Sequence, residues 1–488
     1  MNTSYDMILI MAPPWGVEKP PLGIAYIAEY LKSRNFSVKV IDFNLRLFQA
    51  AGENKRIFWE VYNLYFMHFK EISKRMSEMF KTEINDLVNE IVSLDSPIIG
   101  FSVNTASICL AAKIAALIKK KDKEKTIIFG GTGCFYEHDR SSLLSEEDIL
   151  AIDAFVIGEG EQVLENILKR GIKDFRGIEG VIYQKEDFFK PATPYYTKNI
   201  ACLTFPTFSD FDLNSYTEKR IPMLTSRGCI GRCTFCIDYL ICGNYRYRSP
   251  EKILEEIKYH VEINKISHFD FNDLICNGNL KQLAALCELI IQSKLNITWT
   301  SYAMVRKDMS YELLNKMRRS GCTFICYGLE SGSDRILKKM NKFYNSFEAE
   351  QVIRRTYKAG ITTSINIIVG FPGETKDDFN ETITFIKRNK DYILEVTNVS
   401  SFIIMLPSEL AKHLQEYRIK FLFPKNLDLY IDENGVDHNE RITRVRKTIF
   451  TLFRLGIKSV IVNQVRPKEK LYHNRVVLVS PPPAKNNA

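Results

Sequence analysis

The chain has 488 residues, 45% hydrophobic and 26% charged, proportions of ordinary globular protein that exclude collagen-like, coiled-coil and disordered classes. Lys plus Arg total 67 against 58 Asp plus Glu, a formal net charge of +9, with 11 cysteines. An odd cysteine count in a long chain argues against a paired disulfide framework and for a reducing compartment. No basic stretch precedes the apolar Met7–Met11, and no run approaches ~20 apolar residues. The expectation is a soluble, cytoplasmic protein with neither signal peptide nor membrane span.

The first 200 residues alternate strand and helix signals. Met7–Met11 reads as a strand, 23–33 as an amphipathic helix and 37–42 as a second strand. An insertion at 45–94 carries Phe58, Tyr62, Tyr65, Phe66, Phe69, Ile72, Met76 and Phe80 at three- and four-residue spacing. That spacing predicts one apolar face of a long helix, used as core or domain interface. Strand signals at 97–103, Thr126–Gly130 and 154–157 then alternate with helices at 111–121 and 161–169. Short β-branched runs between helices predict a parallel, doubly wound sheet that binds ligands at the switch point of its carboxyl edge. Residues 177–195 read as a short hairpin and a proline-containing connector.

The alternation resumes at 221. Strands at 223–226, 267–271, 297–303, 324–330, 363–369 and 396–405 alternate with helices at 250–263, 280–293, 311–319, 349–358 and 377–388. Six β/α units make a partial barrel, short of eight. Ser249-Pro250 supplies an N-cap with proline at the first helical position, and Thr375 with Asp378 forms a capping box. Beyond 405 the alternation is lost: helices at 407–420 and 441–455, a strand at 459–465 and a disordered tail from 481 are expected. Residues 406–488 hold 15 basic and 8 acidic residues, +7 of the total +9, so the rest is nearly neutral. Spread over a helical surface, that charge argues against nucleic acid as a partner. The expected domains are 1–200, 201–405 and 406–488.

Between the first barrel strand and its helix lies Ser226-Arg227-Gly228-Cys229-Ile230-Gly231-Arg232-Cys233-Thr234-Phe235-Cys236. Three thiolates on one CxxxCxxC loop suit three corners of a [4Fe–4S] cube, and because four is the usual set, one iron stays open for another ligand. Gly228 and Gly231 allow a tight turn, and Arg227 and Arg232 suit the anionic charge of thiolates and sulfides. The competing reading is structural zinc, which wants four closed ligands, whereas Cys242 is the one further cysteine nearby.

This loop, with an aromatic before its third cysteine, resembles the radical S-adenosylmethionine superfamily over at least 222–388. The resemblance implies Cys229, Cys233 and Cys236 as cluster ligands, with S-adenosylmethionine bound at the fourth iron and cleaved reductively to a 5′-deoxyadenosyl radical. It implies that Phe235 packs near the adenine. Gly328-Leu329-Glu330-Ser331-Gly332-Ser333 resembles the family's segment for the ribose and methionine parts, which makes Glu330 and Ser331 cofactor contacts. Gly370-Phe371-Pro372-Gly373-Glu374-Thr375 resembles the turn after the fifth strand and adds Gly373. Where relatives carry two acidic residues after the second strand, this chain has Asn272-Asp273, so Asp273 is the expected contact there.

The front region resembles the cobalamin-binding domain that precedes many such barrels. The resemblance rests on Pro20-Pro21-Leu22-Gly23-Ile24-Ala25-Tyr26-Ile27-Ala28, Val40-Ile41-Asp42, Gly100-Phe101-Ser102, Gly130-Gly131-Thr132-Gly133 and Gly158-Glu159-Gly160-Glu161. It implies a Rossmann-like, flavodoxin-like domain with Ser102, Gly130 and Gly131 at the cofactor. No Asp-x-His-x-x-Gly loop is present, and the domain's histidines are His68 and His138, so the cobalt is expected to lack a protein imidazole. Cys109, Cys134, Cys202, Cys276, Cys287, Cys322 and Cys326 read as buried structural thiols.

The whole is therefore expected to be an α/β enzyme: a cobalamin-binding-like domain, a partial (β/α)6 barrel and a small, mainly helical C-terminal region. Its expected cofactors are a [4Fe–4S] cluster, S-adenosylmethionine and cobalamin. The leading function is methylation of an unactivated carbon of a small molecule, through a 5′-deoxyadenosyl radical and methylcobalamin. Ring closure or oxidation of the porphyrin-cyclase type with the same cofactors remains open, as do a non-catalytic iron–sulfur sensor and an RNA-modifying enzyme. An electron donor such as flavodoxin or ferredoxin is the expected partner, and a monomer or weak oligomer the expected state.

Overall fold

A computed structural model describes residues 4–59, 69–171, 174–422, 427 and 429–459. The chain divides into two compact units, Met1–Pro222 with Tyr259–Ile266, and Met223–Lys258 with the residues from Ser267 onward.

In the first unit six strands lie in the order β2-β1-β3-β4-β5-β6. They are β1 Met7–Met11, β2 Val38–Asp42, β3 Ile98–Ser102, β4 Thr126–Gly130, β5 Ala154–Val156 and β6 Val181–Ile182. The first five are parallel, and β6 joins β5 antiparallel. Every residue of β1 is buried, as a continuous apolar run covered on both faces requires. Because β1 pairs with both β2 and β3, the winding reverses between β1 and β3, the switch point of a flavodoxin-like sheet. Phe101, Phe129, Phe155 and Phe188 make a chain of ring contacts at 5.1, 6.1 and 4.7 Å through the core.

Two expectations change here. The insertion is not one long helix: a 3₁₀ turn covers Glu53–Trp59, and helices Phe69–Met79 and Lys81–Ser93 are separated at Phe80, whose φ of −114° and ψ of 32° break the ladder. Phe58, Ile72, Met76 and Phe80 are buried, and Trp59 packs edge-on against Phe48 and Phe80 at 5.6 and 5.9 Å. Tyr62, Tyr65, Phe66 and His68 lie outside the described residues. Nor does 177–195 form a hairpin, since β6 pairs with β5 while Tyr195 bridges back to Gly158. Residues 201–222 fold with this unit: Tyr216 donates its hydroxyl to Asp42 Oδ2 at 2.5 Å, and Thr217 N–H donates to Val17 O at 3.1 Å.

In the second unit the sheet runs β17-β14-β13-β12-β11-β10-β7. Its strands are β7 Ile221–Met223, β10 His268–Phe271, β11 Thr298–Ala303, β12 Cys322–Glu330, β13 Thr362–Val369, β14 Glu395–Ser401 and β17 Lys458–Ser459. Trp299, buried and stacked on Phe271 at 4.8 Å, anchors the helix-facing side. The helices start as their caps predict, with a complete Thr375–Asp378 capping box.

The C-terminal region departs from expectation. Only Glu409–Lys412 of 407–420 is helical; the chain then turns repeatedly, with Arg418 left-handed at φ 47°. A small hairpin follows, β15 Lys420–Phe421 with β16 Tyr430–Ile431. The alternation is not lost: helix His438–Leu455 leads to β17, which pairs parallel to β14 and adds a seventh strand. Among the described residues, no helix is long and apolar enough to cross a membrane.

Candidate functional site

The cysteine loop leaves the sheet immediately after β7. Asp273, just past β10, accepts from Thr225 N–H at 2.8 Å, Ser226 N–H at 3.0 Å and the Thr225 hydroxyl. Burial pushes its carboxyl up to about 6 against those hydrogen bonds. The expected cofactor contact is thus turned to the loop's backbone, because the strand end it terminates must be tied to the neighbouring strand. Next, β8 Ser226–Arg227 pairs antiparallel with β9 Arg246–Tyr247 and closes the loop at its base. Gly228 follows at φ +80°, where a Cβ would sit 2.3 Å from Asn244 O, so the turn admits only glycine.

Inside the loop Cys229, Cys233 and Cys236 are half-buried. The Cys229 and Cys233 sulfurs flank Gly231, lying 3.4 and 3.9 Å from where a Cβ on that glycine would stand. Gly231 N–H donates to Cys229 Sγ at 3.2 Å and Asp238 N–H to Cys236 Sγ at 3.4 Å. Such donors favour the thiolate, whereas burial pushes the Cys229 and Cys236 thiols up. A single ion needs ligands converging at about 2.3 Å, and no such trio exists among the described residues. A cube spreads its thiolates over separate irons and asks for no such convergence, only for three thiols on one loop, as Cys229, Cys233 and Cys236 are. Arg232, expected to offset charge, donates to Cys229 O and Gly231 O at 2.8 Å and to Asn244 Oδ1 at 2.9 Å, so it also braces the loop.

The other two motifs stand beside the loop. Phe235 is edge-on to Phe371 at 6.4 Å, and Phe371 to Phe402 at 5.0 Å, which joins the cysteine loop to the turn after β13. That turn is internally tied: Gly370 N–H donates to Glu374 Oε2 at 2.7 Å and Gly373 N–H to Asp432 Oδ2 at 2.8 Å. Glu374 is in turn paired with Arg444 at 2.6 Å, so the helix His438–Leu455 holds the turn. Arg441 and Arg444 are buried, and part of the C-terminal basic charge is therefore internal.

Glu330 ends β12 at a register shift, with a left-handed φ of 69°, the strained backbone that accompanies functional side chains. Its Oε1 lies 3.3 Å from Lys342 Nζ. Ser331 is fully buried: its hydroxyl contacts Thr382 Oγ1 at 3.2 Å and accepts from Ser333 N–H at 3.1 Å, so it shapes the bend. Two residues outside every motif complete the group. Lys342 donates to Gly328 O at 3.1 Å, and the Tyr344 hydroxyl to Gly328 O and Leu329 O at 2.8 and 2.9 Å. Burial works against the Lys342 ammonium, but Tyr344, Glu330 and Cys233 outweigh it and hold the charge in place. The basic run Lys338, Lys339, Lys342 after the fourth-strand motif was the available signal for Lys342; Tyr344 offered none.

In the first unit, register sets Met11, Ser102 and Gly130 side by side at the carboxyl edge. No side chain longer than serine ends β3 or β4, so this edge is recessed. A Cβ on Gly131, whose φ is +101°, would meet Val103 O at 2.4 Å, so its space is filled by the neighbouring loop. Of the remaining thiols, Cys109, Cys134, Cys276, Cys287, Cys322 and Cys326 are buried. Cys202 is not: it is exposed on a surface 3₁₀ turn, Ile200–Cys202, with Sγ 3.0 Å from Asn199 O.

Residues 223–386 match the Radical SAM superfamily. An uncharacterized methyltransferase of Pyrococcus horikoshii is 25% identical over 78% of this chain and 78% of its own length. The anaerobic magnesium-protoporphyrin IX monomethyl ester cyclase of Rubrivivax gelatinosus is 24% identical over 87% of this chain and 72% of its own. Among solved structures, the cobalamin-dependent S-adenosylmethionine radical enzyme OxsB, with aqua-cobalamin and S-adenosylmethionine bound, superposes with a TM-score of 0.71 at 17% identity, over 93% of this chain and 67% of that one. That likeness, at 17% identity, is one of fold. Residues 223–386 are thus a radical S-adenosylmethionine domain, and the chain that carries it is a radical S-adenosylmethionine enzyme.

Proposed function

We propose that the chain is a cobalamin-dependent radical S-adenosylmethionine methylase acting on an unactivated carbon of a small molecule. The observation that carries the reading is the assembly of three separate motifs at the carboxyl ends of one parallel sheet. There the ribbon β8–β9 holds Cys229, Cys233 and Cys236 beside Phe235, Glu330 and the turn at 370–375. The carboxyl face is where barrel strands present their chemistry. The resemblance of the front unit to OxsB, which binds cobalamin, and the likeness to the Pyrococcus methyltransferase support the methyl-transfer half of the reading.

When bound, the cluster supplies the electron that cleaves S-adenosylmethionine, and the corrin carries the methyl group. The chain's own residues bind and orient. Cys229, Cys233 and Cys236 hold the cluster through thiolates that Gly231 and Asp238 N–H groups stabilise. Phe235 offers an aromatic edge for the adenine, and Glu330, held by Lys342, presents a carboxylate to ribose or amino donors. Gly373, tied through its N–H to Asp432, keeps the turn at 370–375 close against this group. Ser102, Gly130 and Gly131 form the recessed edge for the corrin's nucleotide tail. A flavodoxin or ferredoxin serves as electron donor, and the protein works in the cytoplasm.

The likeness to the Rubrivivax cyclase favours a second reading, ring closure with the same cofactors. Anaerobic reconstitution with iron, sulfide and hydroxocobalamin separates the two. A methylase releases 5′-deoxyadenosine and S-adenosylhomocysteine together; a cyclase releases deoxyadenosine alone. Replacing Cys229, Cys233 and Cys236 together by alanine abolishes the brown chromophore, and its persistence would remove the ligand assignment.

A further inference from the structure

The ammonium of Lys342 sits where the cluster loop, the fourth-strand motif and an aromatic ring meet. Three hydrogen bonds place it there: Thr234 N–H to Met340 O at 3.1 Å, the Thr234 hydroxyl to Lys339 O at 3.1 Å, and Asn341 Nδ2 to Arg232 O at 2.7 Å. They pin segment 339–342 to the cysteine loop. The side chain is 9% exposed. Its Nζ donates to Gly328 O at 3.1 Å and Glu330 Oε1 at 3.3 Å, and stands 5.4 Å from the centre of the ring of Phe235, the residue just before Cys236 in the ligand run. It attracts negative charge on both Cys229 and Cys233. A solvated lysine would do none of this. A lysine costs free energy to bury, and it is kept buried where it meets anions. Glu330 is the carboxylate paired with it; a cube with three thiolates brings further negative charge, and reduction by one electron brings more.

We propose that Lys342 offsets the charge of the cluster and sets its reduction potential, with Glu330 as the counterweight that tempers it. The inference rests on the cluster assignment made above. It assigns Lys342 a positioning role: the ammonium makes the incoming electron more favourable and exchanges no proton. Arg232 also attracts negative charge on Cys229, but it is exposed and its guanidinium braces the loop, whereas the buried ammonium of Lys342 acts on both Cys229 and Cys233.

The test is a mediated potentiometric titration of the reconstituted protein without S-adenosylmethionine, using dithionite as reductant and the spin signal of the reduced cluster as readout. Lys342→Met removes the charge and keeps the stem; its reduction equilibrium falls about tenfold, about 59 mV more negative for a one-electron couple. Lys342→Arg stays close to wild type. Glu330→Gln removes the counterweight and moves the midpoint the other way. A purely structural ion pair would shift both neutral variants in the same direction by loosening the loop. Unchanged midpoints, or shifts of one sign, overturn the proposal. If Lys342→Met fails to hold a cluster, Glu330→Gln decides, because a midpoint that does not rise there overturns it as well. A wild-type protein that takes up no cluster would instead remove the ligand assignment, so the two failures read differently.

Discussion

Arg444→Met isolates the contact by which the last helix holds the turn at 370–375. The two side chains are 4% and 1% exposed and meet at 2.6 Å, with a further bond from Arg444 to Glu374 O at 3.1 Å. Methionine keeps much of the stem but leaves the Glu374 carboxylate buried without a cation, which costs ~3–5 kcal/mol. Glu374 already titrates at about 7, raised from the usual 4.5 by burial against the pull of Arg444 and Gly370 N–H. The folded protein therefore holds this proton more tightly than the unfolded chain. Its contribution is fully present below 4.5 and is lost as pH rises through about 7. Without Arg444 the folded value moves higher still. At pH 8.5 the variant bears the full cost; at pH 6 Glu374 is protonated with either residue at 444, and only the lost hydrogen bonds remain, ~1–2 kcal/mol. For a unit of this size ~4 kcal/mol is a melting shift of roughly 8–16 °C. Scanning calorimetry of wild type, Arg444→Met, Glu374→Gln and the double variant at both pH values measures it. A cost independent of pH, or a double variant no more stable than Arg444→Met, would refute the reasoning.

Other consequences are as specific. Gly228→Ala forces a Cβ to within 2.3 Å of Asn244 O, so the β8–β9 ribbon must open; cluster absorbance should be lost while the far-ultraviolet circular dichroism of the folded chain is retained. Asn44 accepts from Trp15 N–H at 2.8 Å and Trp59 Nε1–H at 2.7 Å. Asn44→Ala leaves two donors unsatisfied, costs ~2–4 kcal/mol and shifts tryptophan emission to the red; unchanged emission would show that the indole is held by packing alone. Phe80→Ala opens the fully buried contact with Trp59 and should cost ~3–5 kcal/mol in urea unfolding, whereas a solvent-facing stripe would cost under ~0.5.

The sequence by itself determined the elements and the ligands. Short apolar runs and period-3.6 patterns located β1 to β5 and the six barrel strands, because a strand buried on both faces must be apolar throughout and its helices amphipathic. The CxxxCxxC loop was legible for a local reason: its ligands lie within eight residues, so spacing alone carries the geometry. Where a signal depended on partners far along the chain, the sequence was silent. The helix His438–Leu455 read as a detached basic surface, yet Arg441 and Arg444 are buried and β17 extends the sheet. Phe80 read as one more turn of an aromatic stripe, and only its packing with Trp59 shows it between two helices. Asp273 was assigned by motif position, but the neighbouring strand end claims both its oxygens. Lys342 carries no motif; a bulge at Glu330 and a loop pinned to the cysteines bring it there. Tertiary structure decided these four because packing, and for the charged groups Coulomb and desolvation energies, depend on what surrounds a side chain, and those surroundings come from elsewhere in the fold.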